Sequence, residues 1–200
     1  VAATKTHRHC VTEPRSLALV FSPTIRQSVE FARSVLDLDE TIGRPVARVR
    51  DTVTMVEWAN GSRLMSLPDN QRGVVGFTPT LIVIDEAARV SDELYKSVRP
   101  MLALGAHLVA TSTPFGQLGW FFDLWKDGNR LDRFDAYRVT ADECPRITPE
   151  FLAEERQELG PRWFRQEWYC SFESAADAVF SGESIDGLFA DDARFAPLEL

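Results

Sequence analysis

Three short apolar runs set the limits on what this chain can fold into. "SLALVF" (16–21), "TLIVIDE" (80–86) and "AHLVATS" (106–112) are hydrophobic without the alternation of a half-exposed strand. The first two predict buried strands of a parallel sheet covered by helices, and the third predicts a further strand. Helical spacing follows the first run: in "TIRQSVEFARSVLDL", Ile25, Val29, Phe31 or Ala32, and Val35 or Leu36 share one face. "SDELYKSVRPMLAL" predicts a helix interrupted near Pro100, and "GQLGWFFDLWKDG" predicts another after the third strand. Strand alternating with helix implies an α/β fold with a mostly parallel sheet, right-handed crossovers and ligands at the C-terminal strand ends. "TMVEWANGSRLMSL" puts two strand-like runs around Asn60-Gly61, a strong hairpin signal, and predicts an antiparallel excursion. The opening "VAATKTHRHCVTEP" reads as a helix already under way and ended by Pro14, the pattern of a chain cut at its N-terminus.

Composition narrows the class. With 200 residues, 44% of them hydrophobic, the chain can bury a real core. No apolar run approaches the roughly 20 residues of a membrane span and no signal segment opens the chain, so a cytoplasmic protein is expected. A net charge of -8 excludes a protein that coats nucleic acid by bulk electrostatics. The charge is uneven, however: residues 1–72 carry +2 and residues 73–200 carry -10. Arg44, Arg48 and Arg50 form the densest basic stretch of the first part, either a solvated loop or a contact to a DNA backbone. Cys10, Cys144 and Cys170 are widely spaced and form no CxxC pair, which suggests neither a disulfide framework nor a zinc site. "HRHC" (His7, His9, Cys10) lacks a second ligand set and is expected to be the solvated end of a helix.

"LIVIDEAARV" (81–90) carries an unbroken apolar run straight into paired carboxylates, and burying a bare charge beside a core is costly unless something pairs with it. A metal ion is the expected partner. Asp85 and Glu86 fall where one strand would end, and Thr111, Ser112 and Thr113 fall where the next would end, so both sets should face one crevice. In nucleotide hydrolysis the first acid would hold Mg²⁺ and the second would orient or deprotonate the attacking water. Neighbouring hydroxyls would sense the γ-phosphate. Two blander roles compete: Asp-Glu before a helix complements its dipole, and "TSTP" serves as an N-cap followed by proline.

These motifs resemble bacteriophage terminase large subunits, the ATPases that drive DNA into procapsids. "TLIVIDEAARV" resembles their Walker B motif and "LVATSTPFGQLGWFFDLW" their coupling motif with its following helix. "VFSPTIRQSVEFARSVL", "NGSRLMSLP" and "GPRWFRQEWYCSFESAADAVFSGESID" are similar to terminase segments in the family's order. The resemblance implies a P-loop NTPase-type fold of the ASCE, RecA-like kind, with ATP and Mg²⁺ as ligands. Asp85 would be the metal ligand, with Glu86 and Thr111 to Thr113 catalytic. It implies double-stranded DNA, a portal protein, a small terminase subunit and a homo-oligomeric ring as partners, in the host cytoplasm and at the procapsid portal vertex. The family's Gly-Lys-Ser/Thr phosphate loop would precede Val1, so the 200 residues alone are expected to bind ATP poorly and hydrolyse it negligibly. Val75 stands where the family has the arginine of an Arg-Gly pair, and Arg72 is the candidate to supply that cation.

By the same resemblance, residues 1–140 form the ATPase core, 141–172 a helical lid or linker, and 173–200 the start of a nuclease domain. Trp163, Phe164, Trp168, Tyr169 and Phe172 have a spacing that fits one helical face and predicts packing rather than base stacking. Acids from Glu173 to Glu199 read as a solvated face. The rival readings are a DExx-type helicase core, because "IDEAA" differs little from "DEAD", and a degenerate, non-catalytic DNA-binding or scaffold domain.

Overall fold

The computed structural model describes residues 1–69, 76–127 and 134–174. Six strands form one sheet: β1 (Leu17–Ser22), β2 (Arg48–Asp51), β3 (Met55–Trp58), β4 (Arg63–Pro68), β5 (Leu81–Asp85) and β6 (His107–Thr111), in the order β2-β3-β4-β1-β5-β6. β4, β1, β5 and β6 run parallel, and β3 and β2 are antiparallel at one side. The helices are α1 (Ala2–Thr12), α2 (Ile25–Thr41), α3 (Asp92–Leu102), α4 (Gly119–Lys126) and α5 (Pro149–Tyr169).

The unbroken apolar runs are explained by helices on both faces. Leu17, Leu19 and Phe21 of β1, with Ile82 and Ile84 of β5, pack under Leu94, Val98 and Met101 of α3 and Trp120 of α4. Ala18 and Val20, with Leu81 and Val83, face Ala2 and Cys10 of α1 and Phe31 and Val35 of α2. Every side chain of β1 is buried whichever way it points, which leaves no position for a polar residue except the terminal Ser22.

The antiparallel hairpin is present as expected, and because β4 also pairs with β1 in parallel it extends the main sheet. Asn60 holds its tip, accepting from the Ser62 N–H at 3.0 Å and donating to the Cys10 and Val11 carbonyls at 2.9 and 3.3 Å. Gly61 is required there, with φ of 79° and space for a Cβ only 3.1 Å from the Arg15 side chain.

Four expectations are corrected. The helix at Ser91 runs through Pro100 to Leu102, since a proline near the last turn removes little hydrogen bonding. α2 buries Ser28, Phe31, Ala32, Val35 and Asp39, while Ile25 is 56% exposed at its first turn. The "HRHC" stretch is not a solvated end: His7 and Cys10 are core residues, and burial pushes the Cys10 thiol up to about 12. The late aromatics do not all share one helical face: Trp168 and Tyr169 pack with Phe164, but α5, which is broken at Gly160, ends at Tyr169 before Phe172 is reached. Phe164 is buried, Trp163 is 46% exposed, and Phe172 lies past the helix end against Phe121, Phe122 and Trp125 of α4. Arg72, Val75 and the acids from Asp177 onward lie outside the described residues.

Candidate active site

β5 and β6 pair in parallel with Asp85 opposite Thr111, so the last residue of one strand meets the last of the other. Thr111 Oγ1 donates to Asp85 Oδ1 at 3.0 Å, which orients that carboxylate without supplying a counter-charge. Glu86 then leaves the strand in a left-handed conformation, φ 53° and ψ 45°. A non-glycine residue there costs about 1–3 kcal/mol and must be held by its surroundings. The hold comes from the loop after β6: Ser112 Oγ accepts the Ala88 N–H at 3.1 Å and donates to the Thr113 carbonyl at 2.6 Å. The Glu86 carbonyl accepts the Arg89 N–H at 2.8 Å, closing a three-residue 3₁₀ turn.

Neither bland role survives this geometry. Asp85 ends a strand, and Glu86 makes no side-chain cap to the short turn that follows. α3 is instead capped by Ser91, which accepts the Leu94 N–H and is fixed by Asp69 at 2.7 Å. "TSTP" caps no helix either, since α4 starts at Gly119.

Both acids are half-buried and line a cleft of about 450 Å³ together with Thr111, with Gln27, Glu30 and Ser34 of α2, and with the first residues of α1. Desolvation raises the Glu86 carboxyl above its ordinary range; Arg89 opposes that shift, while Asp85 and Glu167 add to it. Val1, Ala2 and Ala3, where α1 opens, line the cleft beside the two carboxylates. The donor set fits Mg²⁺: a carboxylate and a hydroxyl supply hard oxygens. Among the described residues no group of three or more His, Cys, Asp or Glu is placed to hold a metal ion.

The basic stretch divides. Arg44, exposed and with φ of 52°, pairs with Glu40 through bonds of 2.8 and 2.5 Å. Arg48 is not in a solvated loop: it sits on β2 with its side chain 9% exposed, 3.2 Å from both Asp39 and Asp51, and it also bonds Glu40. Arg50 is exposed on the same strand.

Three features of the site had no place in the sequence reading. They are the α1 terminus, the polar face of α2, and Arg89, whose guanidinium touches both Glu86 and the loop after β6. Only Arg89 had a local signal, the i,i+3 spacing from Glu86.

Several solved structures share this architecture. The large terminase ATPase domain of Thermus phage P74-26 superposes with a TM-score of 0.67 at 18% identity, covering 86% of this chain and 82% of that one. The large terminase of a thermophilic bacteriophage, solved in complex with ADP, gives 0.69 at 12% identity, covering 86% and 44%. The HK97 bacteriophage large terminase gives 0.61 at 12%, covering 79% and 40%. The chain thus spans most of an isolated ATPase domain and less than half of the longer large terminases. At these identities the likeness establishes the fold, a RecA-like sheet flanked by helices. A comparison with curated protein sequences finds no match. A family model described as "Terminase large subunit, T4likevirus-type, N-terminal" matches residues 1–186, and the chain belongs to that family.

Proposed function

We propose that this domain is the ATP-hydrolysing module of a DNA-packaging motor. The observation that carries the reading is the Thr111–Asp85 hydrogen bond across paired strand ends, with Glu86 beside it in the cleft under the α1 terminus. Asp85 is the residue to hold Mg²⁺, which when bound would neutralise phosphate charge. Glu86 accepts a proton from the attacking water or orients it, and its raised carboxyl range suits that task. Thr111 reports on Asp85, while Ser112 and Thr113 are tied to the turn that carries Glu86, so a change at the acids reaches the loop before α4. That route is the proposed coupling of hydrolysis to movement of double-stranded DNA. Arg72 is the proposed source of a further cation for the transferred phosphoryl group.

The thermophilic-phage large terminase was solved with ADP and with ATP-gamma-S, which supports a nucleotide as the ligand here. Residues 1–140 are assigned to the ATPase core, 141–172 to a helical lid or linker, and 173–200 to the start of a nuclease domain. A portal protein, a small terminase subunit and further copies in a ring are the proposed partners, met at a procapsid vertex in the host cytoplasm.

The test uses the large subunit that contains this domain. Asp85→Asn should weaken nucleotide affinity with Mg²⁺ present and leave it unchanged with EDTA. Glu86→Gln should keep nucleotide binding while turnover falls by about 10²-fold or more. Normal turnover by Glu86→Gln would sink the reading, and strand displacement from a duplex, in place of translocation along it, would favour a helicase.

A further inference from the structure

Arg89 gathers groups from three segments onto one guanidinium. One terminal nitrogen donates to Glu86 Oε2 at 3.1 Å and reaches Thr113 Oγ1 at 3.5 Å. The other lies 3.7 Å from Glu167 Oε1 on α5, and the central carbon sits 4.5 Å over the Phe115 ring. The side chains of Arg89, Glu86 and Glu167 are each about a third exposed, at 31%, 35% and 32%. Ion pairs this wet contribute little to stability. Their effect is on direction: Glu86 leaves the strand with left-handed backbone, and Arg89 is the side chain that donates to its carboxylate.

We infer that Arg89 is a positioning residue for Glu86, and that it ties the aim of this carboxylate to the placement of α5 through Glu167. The inference rests on the reading of Glu86 as the group that handles the attacking water. Two carboxylates share one cation. While α5 holds Arg89 through Glu167, only one guanidinium nitrogen serves Glu86; when α5 withdraws, the whole fork is free to settle on Glu86. Glu30 on α2 lines the same cleft and is itself paired with Arg33 at 2.6 Å. Thr113 touches the nitrogen that serves Glu86, so the loop after β6 registers the same exchange.

ATP turnover by the large subunit, followed against ATP concentration, tests this. Arg89→Ala should lower kcat about tenfold or more and leave KM within about twofold. Arg89→Lys should recover only part of kcat, since an ammonium supplies charge without the fork. Glu167→Gln, on the far helix, should change kcat about threefold or more with KM held within about twofold. Unchanged kcat in Arg89→Ala, or in Glu167→Gln, would overturn the positioning role alone. Should Arg89→Ala fail to fold, Glu167→Gln decides. Full turnover by Glu86→Gln would instead remove the reading of the site on which this one rests.

Discussion

Acids meet the core of this domain in two places, and the fold treats them differently. Asp39 on α2 has a side chain with no exposed surface; His7 Nε2 lies 2.8 Å from Oδ1 and Arg48 Nε 3.2 Å from Oδ2. The cluster joins α1, α2 and β2, and Trp58 closes it with its ring edge-on to His7 at 6.3 Å. Asp39 Oδ2, Arg48 Nε and Trp58 Nε1 are buried without a hydrogen-bond partner, so charge rather than a completed hydrogen-bond set holds the cluster. Asp85 and Glu86 sit at the end of β5 with one hydroxyl and one shared guanidinium between them, half-buried and open to a cleft. A carboxylate enclosed by the chain's own side chains serves the architecture, whereas one kept partly unpaired at a strand end stays open to the ligand proposed above.

The largest effect should come from breaking the closed cluster. Asp39→Ala leaves Arg48 and His7 facing a void and should destabilise the domain by about 3–5 kcal/mol. A urea titration of the large subunit, followed by a probe within this domain, would measure it; a loss below about 1 kcal/mol would mean that Arg48 relaxes to Glu40 and Asp51 at no cost. At the open site the equivalent change should be small. Thr111→Val removes a single hydrogen bond to a half-exposed acid, which is worth about 1 kcal/mol in the apo protein. A cost like that of Asp39→Ala would show that Asp85 is a structural acid after all.

The contrast also explains what could be read from sequence. Strands buried on both faces announce themselves, so β1 and β5 were legible from "SLALVF" and "TLIVIDE"; "AHLVATS" marked β6 by its apolar run although that strand is only half-buried, and Asn60-Gly61 marked the hairpin. Asp85 and Thr111 were legible as partners because parallel strands of equal depth end together. β2 was not: "RVRD" is a charged edge strand whose outward residues carry no pattern to detect. The His7–Asp39–Arg48 cluster was hidden because its members lie 32 and 9 positions apart in the chain, and only tertiary packing makes them neighbours. Glu167 reaches Arg89 across 78 positions for the same reason.

A smaller effect tests whether Glu86 is held against its own solvation. Desolvation raises its carboxyl in the folded state, with Asp85 and Glu167 adding to the shift and Arg89 opposing it. A raised carboxyl means that the folded state binds more protons than the unfolded one between the two ranges. Its favourable contribution is therefore complete below the unfolded value and lost as pH rises through the folded one. Glu86→Gln removes the ionisation, so the apo variant should melt slightly above the wild type at neutral pH. The difference should fade as pH falls through the carboxylate range. An advantage that grows in acid would show that Glu86 is stabilised as an anion.

The smallest expected effect settles the basic edge, where the two kinds of charge lie side by side. Arg48 is enclosed by Asp39, Glu40 and Asp51, so its replacement should act mainly through stability, as Asp39→Ala does. Arg44 and Arg50 point outward; Arg44 pairs only with the exposed Glu40, an interaction that solvent screens. Replacing either by alanine should leave the melting temperature unchanged. If they lie against a DNA backbone, each replacement should weaken duplex binding equally across sequences and reduce the slope of log affinity against log salt by about one. Titrations of the large subunit with duplex DNA between about 50 and 200 mM salt measure that slope. A slope that stays constant in Arg44→Ala and Arg50→Ala would remove this edge from the DNA path. Arg44 would then do no more than hold the turn between α2 and β2, where its left-handed backbone and its bond to Glu40 already place it.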